Sequence, residues 1–306
     1  MNFARLRQVS WTPLACGSLR ASLAARFTCL LVAALLTGVT PVRAETPQLE
    51  PAPPGVEAAD LSRRAVEALA GRRTYLEAVL SVHDPEGWTG SETRFRAWLE
   101  RGSGRGFLRV LEPARQAGTG LLRLPPNLWR YAPLTASLEL VDPRGLDEPW
   151  LGSDFTLSDL LLAPTWLGTG SATLLGVDPA SGPDGTQRAY VIELRRGGSG
   201  REIAWIGTEH LTPLRCERRN PQDALVSTLR FDALHEVGGR PVPHRWTLSL
   251  ASTPRRESQL ELSEIRFDPV FDDEIFTTRQ LLQLGSSPAS AEAPDARLGA
   301  PGGTPP

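Results

Sequence analysis

The residue types that carry out chemistry are few and scattered in this chain. Its four histidines are His83, His210, His235 and His244. None stands in an H-E-x-x-H or H-x-H spacing, the arrangements that set two imidazoles on one metal ion. No G-x-S-x-G elbow presents a nucleophilic serine. Gly118-Thr119-Gly120 is followed by Leu121 rather than by a helix start, so it reads as a bulge or tight turn and not as a phosphate loop. Asp272-Asp273-Glu274 gathers three carboxylates, but Ca²⁺ needs more oxygen ligands, and acids ahead of a helix complement its dipole. The three cysteines, Cys16, Cys29 and Cys216, have neither metal nor disulfide spacing. These residues imply a binding protein rather than an enzyme, with no cofactor and no metal.

Charge narrows what could be bound. The 306 residues contain no lysine, so all 33 basic side chains are arginine, against 35 acids. Five of those arginines (Arg5, Arg7, Arg20, Arg26, Arg43) fall in the first 44 residues, which hold no acid. The remainder has 28 arginines and 35 acids, a net of -7. A body that acidic has no general electrostatic reason to bind nucleic acid or an anionic membrane surface.

The first 44 residues have the order of a secretory signal peptide: a basic stretch, the apolar run FTCLLVAALLTGV at 27–39, then Val42-Arg43-Ala44 before the first acid, Glu45. The apolar run is too short to span a bilayer comfortably, which favours a cleaved signal over an uncleaved membrane anchor. Cys216 is left as the lone thiol of the exported chain, buried and inert. Residues 45–55 (ETPQLEPAPPG) are proline-rich and read as a linker, and 285–306, mostly Gly, Ser, Pro and Ala, as a disordered tail. The domain between them, 56–284, has no internal repeat.

Its elements follow from periodicity. Over 56–71, Ala58, Leu61, Ala65, Ala68 and Leu69 share one helical stripe, with Asp60, Arg63, Arg64 and Glu67 opposite. After residue 73 the period becomes two. Strands are expected near 74–82, 93–99, 107–112, 120–124, 128–132, 137–142, 171–177, 190–195, 202–207, 213–218, 225–231, 245–250 and 259–267. In the last of these, Leu260 and Leu262 change phase to Ile265 and Phe267, which implies a bulge. Short turns between the runs make the strands antiparallel. Further helices are expected near 156–163 and 274–283.

About eleven or twelve such strands, with a few short helices, cannot stay flat. The expected fold is β-rich α+β: a strongly curved, incomplete antiparallel barrel whose helices plug the concave face. Side chains are not expected to fill that interior. The remaining cavity should be apolar and lined by alternate residues: Phe95, Leu99, Leu108, Val110, Leu122, Leu124, Trp129, Ile192, Leu194, Trp246 and Leu248, joined by Trp150 and Phe155.

A family resemblance rests on three blocks. Residues 107–123 contain Pro113 to Thr119 (PARQAGT), Leu128 to Pro133 read LWRYAP, and Gly152 to Asp159 read GSDFTLSD. Tyr190-Val191-Ile192, EHLTPLR at 209–215, Gly239-Arg240-Pro241-Val242-Pro243 and DEIFT at 273–277 agree more weakly. The chain thereby resembles the LolA-like family of outer-membrane lipoprotein-sorting proteins over about 60–284. The resemblance implies a periplasmic monomer that carries lipid or lipoprotein acyl chains and works alongside an inner-membrane transporter, an ABC or similar exporter. The alternative is a non-catalytic envelope-sensing or protein-binding module on the same fold. Cleavage is expected between Ala44 and Glu45, and N-terminal sequencing of the exported protein should begin at Glu45; retention of residues 20–40 would contradict it.

Overall fold

A computed structural model describes residues 49–84, 92–161, 170–182, 185–195 and 200–283. The expected signal peptide (1–44) and tail (285–306) lie outside the described residues. Among the described residues thirteen strands, against the eleven or twelve expected, form one antiparallel sheet, and each run of alternation corresponds to one of them. They are β1 (Arg73–His83), β2 (Thr93–Glu100), β3 (Arg105–Glu112), β4 (Gly120–Leu124), β5 (Asn127–Ala132), β6 (Ser137–Val141), β7 (Ser171–Ser181), β8 (Gln187–Arg195), β9 (Arg201–Gly207), β10 (Pro213–Arg219), β11 (Leu225–Val237), β12 (Arg240–Leu250) and β13 (Glu257–Phe267).

The strand order is β6-β5-β4-β3-β2-β1-β13-β12-β11-β10-β9-β8-β7. The first six strands meander outward from β1 and the last seven meander back, so the two halves join where β1 pairs β13. Edges β6 and β7 do not pair, which leaves the barrel incomplete. The expected bulge lies in the β1–β13 ladder, where Glu77 faces Glu264 and Ala78 faces Leu262. Ser263 is the extra residue, and its hydroxyl donates to the Glu77 carbonyl at 3.1 Å. That one-residue slip keeps both Leu262 and Ile265 on the buried face despite their odd separation.

The two faces are covered differently, and the difference defines the curvature. One face carries a single unbroken apolar cluster that runs from Leu128 on β5 through β1 and β13 to Ile192 on β8. The other carries two separate clusters, one behind β1–β5 and one behind β8–β10. Continuity inside and interruption outside are what a curled sheet produces.

On the concave side, helix α1 (Ala58–Leu69) lays Leu61, Ala65, Val66 and Leu69 against the sheet and meets both β7 and β12. A second, shorter helix, α2 (Leu157–Leu161), enters the same cluster. The third, α3 (Thr278–Gln283), was also expected to plug the interior but covers the convex side. With the 3-10 turn Asp273–Phe276 it buries Ile275, Phe276 and Leu281 against Tyr75, Trp98, Phe107 and Leu122. The sequence places Glu50 in a linker; here its N–H and C=O pair with Val177 of edge strand β7, both at 2.8 Å, and Leu49 packs on the outer cluster.

Ionic contacts fasten the convex-side helix. Arg73 reaches Glu100 at 3.0 Å and Asp273 at 2.6 Å, and Arg105 reaches the same two acids at 2.6 and 3.1 Å. Both guanidiniums also lie over aromatic rings, Arg73 over Phe271 and Arg105 over Phe276. The Ser103 hydroxyl, with Arg105 and Arg73, holds the Glu100 carboxyl below its ordinary value, and Arg105 with Arg73 does the same for Asp273. A depressed folded-state value means the stabilisation is full at neutral pH and is lost as pH falls through that value. Thermal stability should therefore fall steeply below about pH 4, and Glu100→Gln should lower it at pH 7 while flattening the acid limb. An unchanged acid limb in that variant would show that the network is not the sensor.

Candidate functional site

The segment from Trp150 to Leu161 builds the floor of the site, and each residue of its Gly-Ser-Asp-Phe-Thr block has a mechanical role. Gly152 adopts φ 80°, a left-handed turn that a side chain resists. Ser153, almost wholly buried, donates to the Trp150 carbonyl at 2.8 Å and closes that turn. Asp154 accepts from the Ser258 hydroxyl at 2.8 Å, and its N–H donates to the same oxygen at 2.8 Å, tying the segment to β13. Arg256 adds an ionic contact to Asp154 at 3.6 Å and a hydrogen bond to the Gly152 carbonyl. Phe155 then enters the core. Thr156 and Asp159 cap α2 reciprocally: the Asp159 carboxylate accepts from the Thr156 N–H at 2.9 Å, and the Thr156 hydroxyl accepts from the Asp159 N–H at 3.2 Å.

Above this floor, beneath α1, lies an apolar cavity. Leu69, Ala70, Thr74, Leu76, Phe95, Leu99, Leu160, Trp246, Leu260, Leu262 and Ile265 line it, with Asp159 at one side. Its volume is only about 30 Å³, room for a water molecule or two. Side chains of α1, Trp150 and Phe155 pack into the concave cluster around this cavity. The Trp150 indole meets the Phe95 ring edge-on with centroids 5.5 Å apart. Beyond Asp159 a second pocket of about 210 Å³ continues between Phe155, Cys216, Leu229 and Leu248. Its acids Glu202 and Asp159 face Arg218 at 3.4 and 3.8 Å.

The thirteen residues named from the sequence separate into two groups. Phe95, Leu99, Leu108, Val110, Trp150, Phe155, Ile192, Leu194, Trp246 and Leu248 share the concave cluster. Of these, Phe95, Leu99 and Trp246 line the cavity beneath α1, and Phe155 and Leu248 line its neighbour. Leu122, Leu124 and Trp129 sit on the opposite face, under the convex-side helix and turn. Neighbouring residues Leu121 and Leu128 take the concave positions on those two strands. Alternation identifies two faces, but on strands apolar on both it does not say which is inside. The cavity residues not named from the sequence, Leu260, Leu262 and Ile265, lie in the phase-changing run where the bulge was read, and Leu76 shares parity with Ala78 and Leu80.

Comparison with known proteins agrees with this architecture. A family model described as an uncharacterized protein matches residues 102–283, more than half of the chain. No curated protein matches it. Among solved structures, a LolA superfamily protein from Nitrosomonas europaea is 19% identical with a TM-score of 0.62, covering 74% of this chain and 99% of its own. A DUF1329 family protein from Desulfovibrio piger is 19% identical with a TM-score of 0.63, covering 73% of this chain and 97% of its own. A structure described as an outer membrane lipoprotein-sorting protein domain from Vibrio parahaemolyticus is 18% identical, TM-score 0.62, covering 74% and 98%. The chain belongs to the LolA-like family.

The Asp154–Ser258 link is the tie most exposed to a single substitution. Asp154→Ala leaves the buried Ser258 hydroxyl without this acceptor and should cost about 1–3 kcal/mol in a denaturant titration. A loss under about 0.5 kcal/mol would mean that packing of Phe155 alone holds the segment.

Proposed function

We propose that this protein is a non-enzymatic periplasmic carrier that shelters an acyl chain of a lipid or lipoprotein beneath α1. The observation that carries the reading is the apolar cavity under a helix whose charged side chains do not bind the sheet. Arg63 pairs with Asp60 and with Glu67, and Arg64 with Asp60, all within α1 itself. The helix therefore rests on the sheet through its apolar stripe, with one bond from Arg240 of β12 to its Glu67 carbonyl. Raising it exposes Leu61, Ala65, Val66 and Leu69 on one side and the cavity wall on the other, and an acyl chain replaces each contact like for like. Each methylene buried there contributes about 0.8 kcal/mol, so affinity needs no charged contact.

The chain distribution favours movement of α1 over movement of strands. A helix and its connections at a barrel mouth can swing while laddered strands cannot. Export fits the basic and apolar N-terminus, and no helix among the described residues is long and apolar enough to cross a membrane. The mature chain would act as a monomer, receiving cargo from an inner-membrane transporter and serving outer-membrane lipid or lipoprotein sorting as a chaperone of that cargo. The solved structures named above support this reading through fold.

Titration of the mature chain with a fluorescent fatty acid tests it. Saturable binding is expected, and Leu76→Trp, which fills the cavity, should weaken it about tenfold or more. Trp129→Ala, on the opposite face, should lower stability and leave the affinity within about twofold. Absence of saturable binding would favour the protein-binding module instead.

A further inference from the structure

At the C-terminal end of α1 a third pocket opens, of a different character. It holds about 550 Å³, and Arg64, Arg72, Arg101, Arg240 and His210 line it with the acids Glu67 and Asp268. The two acids are already engaged. The Glu67 carboxylate faces Arg63 at 2.9 Å, and Asp268 accepts the backbone N–H groups of Arg72 and Arg73 at 2.7 and 3.0 Å.

The cations are less committed. Arg64 is paired with Asp60, and Arg240 lies over the Phe267 ring while donating to the Glu67 carbonyl. The side chains of Arg72 and Arg101 have no ionic or hydrogen-bonding partner among the described residues. These two residues are held side by side, because the Arg101 N–H donates to the Arg72 carbonyl at 2.8 Å. A cluster of guanidiniums with spare donors, in a domain whose net charge is negative, is an anion site. Its planar forks match the several oxygens of a phosphate ester.

Position makes the site specific. Ala70 lines both this arginine pocket and the apolar cavity beneath α1. A ligand with a charged end and an apolar end could occupy both at once, its chain under α1 and its charge among the arginines. We infer that the arginine pocket receives the phosphate-ester head group of an amphiphile whose acyl chain enters the adjoining cavity. The inference rests on the carrier reading and adds head-group selection to it.

The test compares lysophosphatidylglycerol with lysophosphatidylcholine of the same chain length, below micelle concentrations, on the mature chain, with inorganic phosphate as a third ligand. The anionic lipid should bind about tenfold more tightly, and its advantage should shrink as salt rises. Arg72→Gln combined with Arg101→Gln should reduce the ratio of the two affinities to about twofold or less, without a change in melting temperature. Arg144→Gln, at an exposed arginine outside the pocket, should leave the ratio as it is. Equal binding of both lipids, or a preference that survives the double variant, overturns the head-group assignment and leaves the carrier standing. Binding of neither lipid overturns the carrier and this inference with it. Inorganic phosphate binding as tightly as the anionic lipid would make this a free-anion pocket and overturn the lipid assignment.

Discussion

The constraint on which the structure depends is the mismatch between a very wide apolar sheet face and the little helix that covers it among the described residues. Thirteen strands laid flat would span roughly 58 Å at the usual spacing. Among the described residues the helices on the apolar side cover 12 and 5 residues, about 18 and 8 Å. The face can leave water only by closing toward itself. Curvature, the unpaired edges and the insertion of Trp150 and Phe155 into the interior are consequences of that shortage. So is the small volume of the cavity beneath α1: the side chains that make the curl stable are the ones that pack around it.

The block Gly152 to Asp159 gains its meaning from the same geometry. It contains no reacting group. Its glycine turns the chain, its serine closes the turn, its first aspartate binds β13, and its threonine and second aspartate start α2. Arginine plays a comparable structural role on the convex side. Arg73 and Arg105 each meet two carboxylates and lie over a ring. A planar, weakly hydrated cation can satisfy both demands together, where lysine's compact ammonium would not.

The strands were legible because a half-buried strand writes its period directly into the sequence, and even the slip at Ser263 shows as a change of phase. The side on which α3 lies was not legible, since Trp98, Phe107, Leu122 and Trp129 make the outer face of β2–β5 as apolar as the inner one. For the same reason Leu122, Leu124 and Trp129 were expected inside. The small volume of the cavity beneath α1 was hidden because periodicity says which residues turn inward but not how far their side chains meet. The arginine pocket was hidden for another reason. Arg64, Arg72, Arg101 and Arg240 come from separate elements, and in the sequence each is an ordinary surface charge. Packing of α1 on β12 brings Arg64 to Arg240, and the β1–β13 junction brings Arg72 and Arg101 beside them.

The placement of α1 also sets an order of assembly. The helix is made near the start of the domain, yet it rests on β7 and β12, and Glu50 ahead of it bonds to Val177. As the chain emerges from N- to C-terminus, those partners arrive more than a hundred residues later. Until they do, the apolar stripe of α1 has no sheet to lie on, and the pairing groups of Glu50 have no strand. Long-range contacts of this kind form late and slowly. The first helix of the domain can thus dock only after β7 and β12 have been made, and until then its apolar stripe stays uncovered.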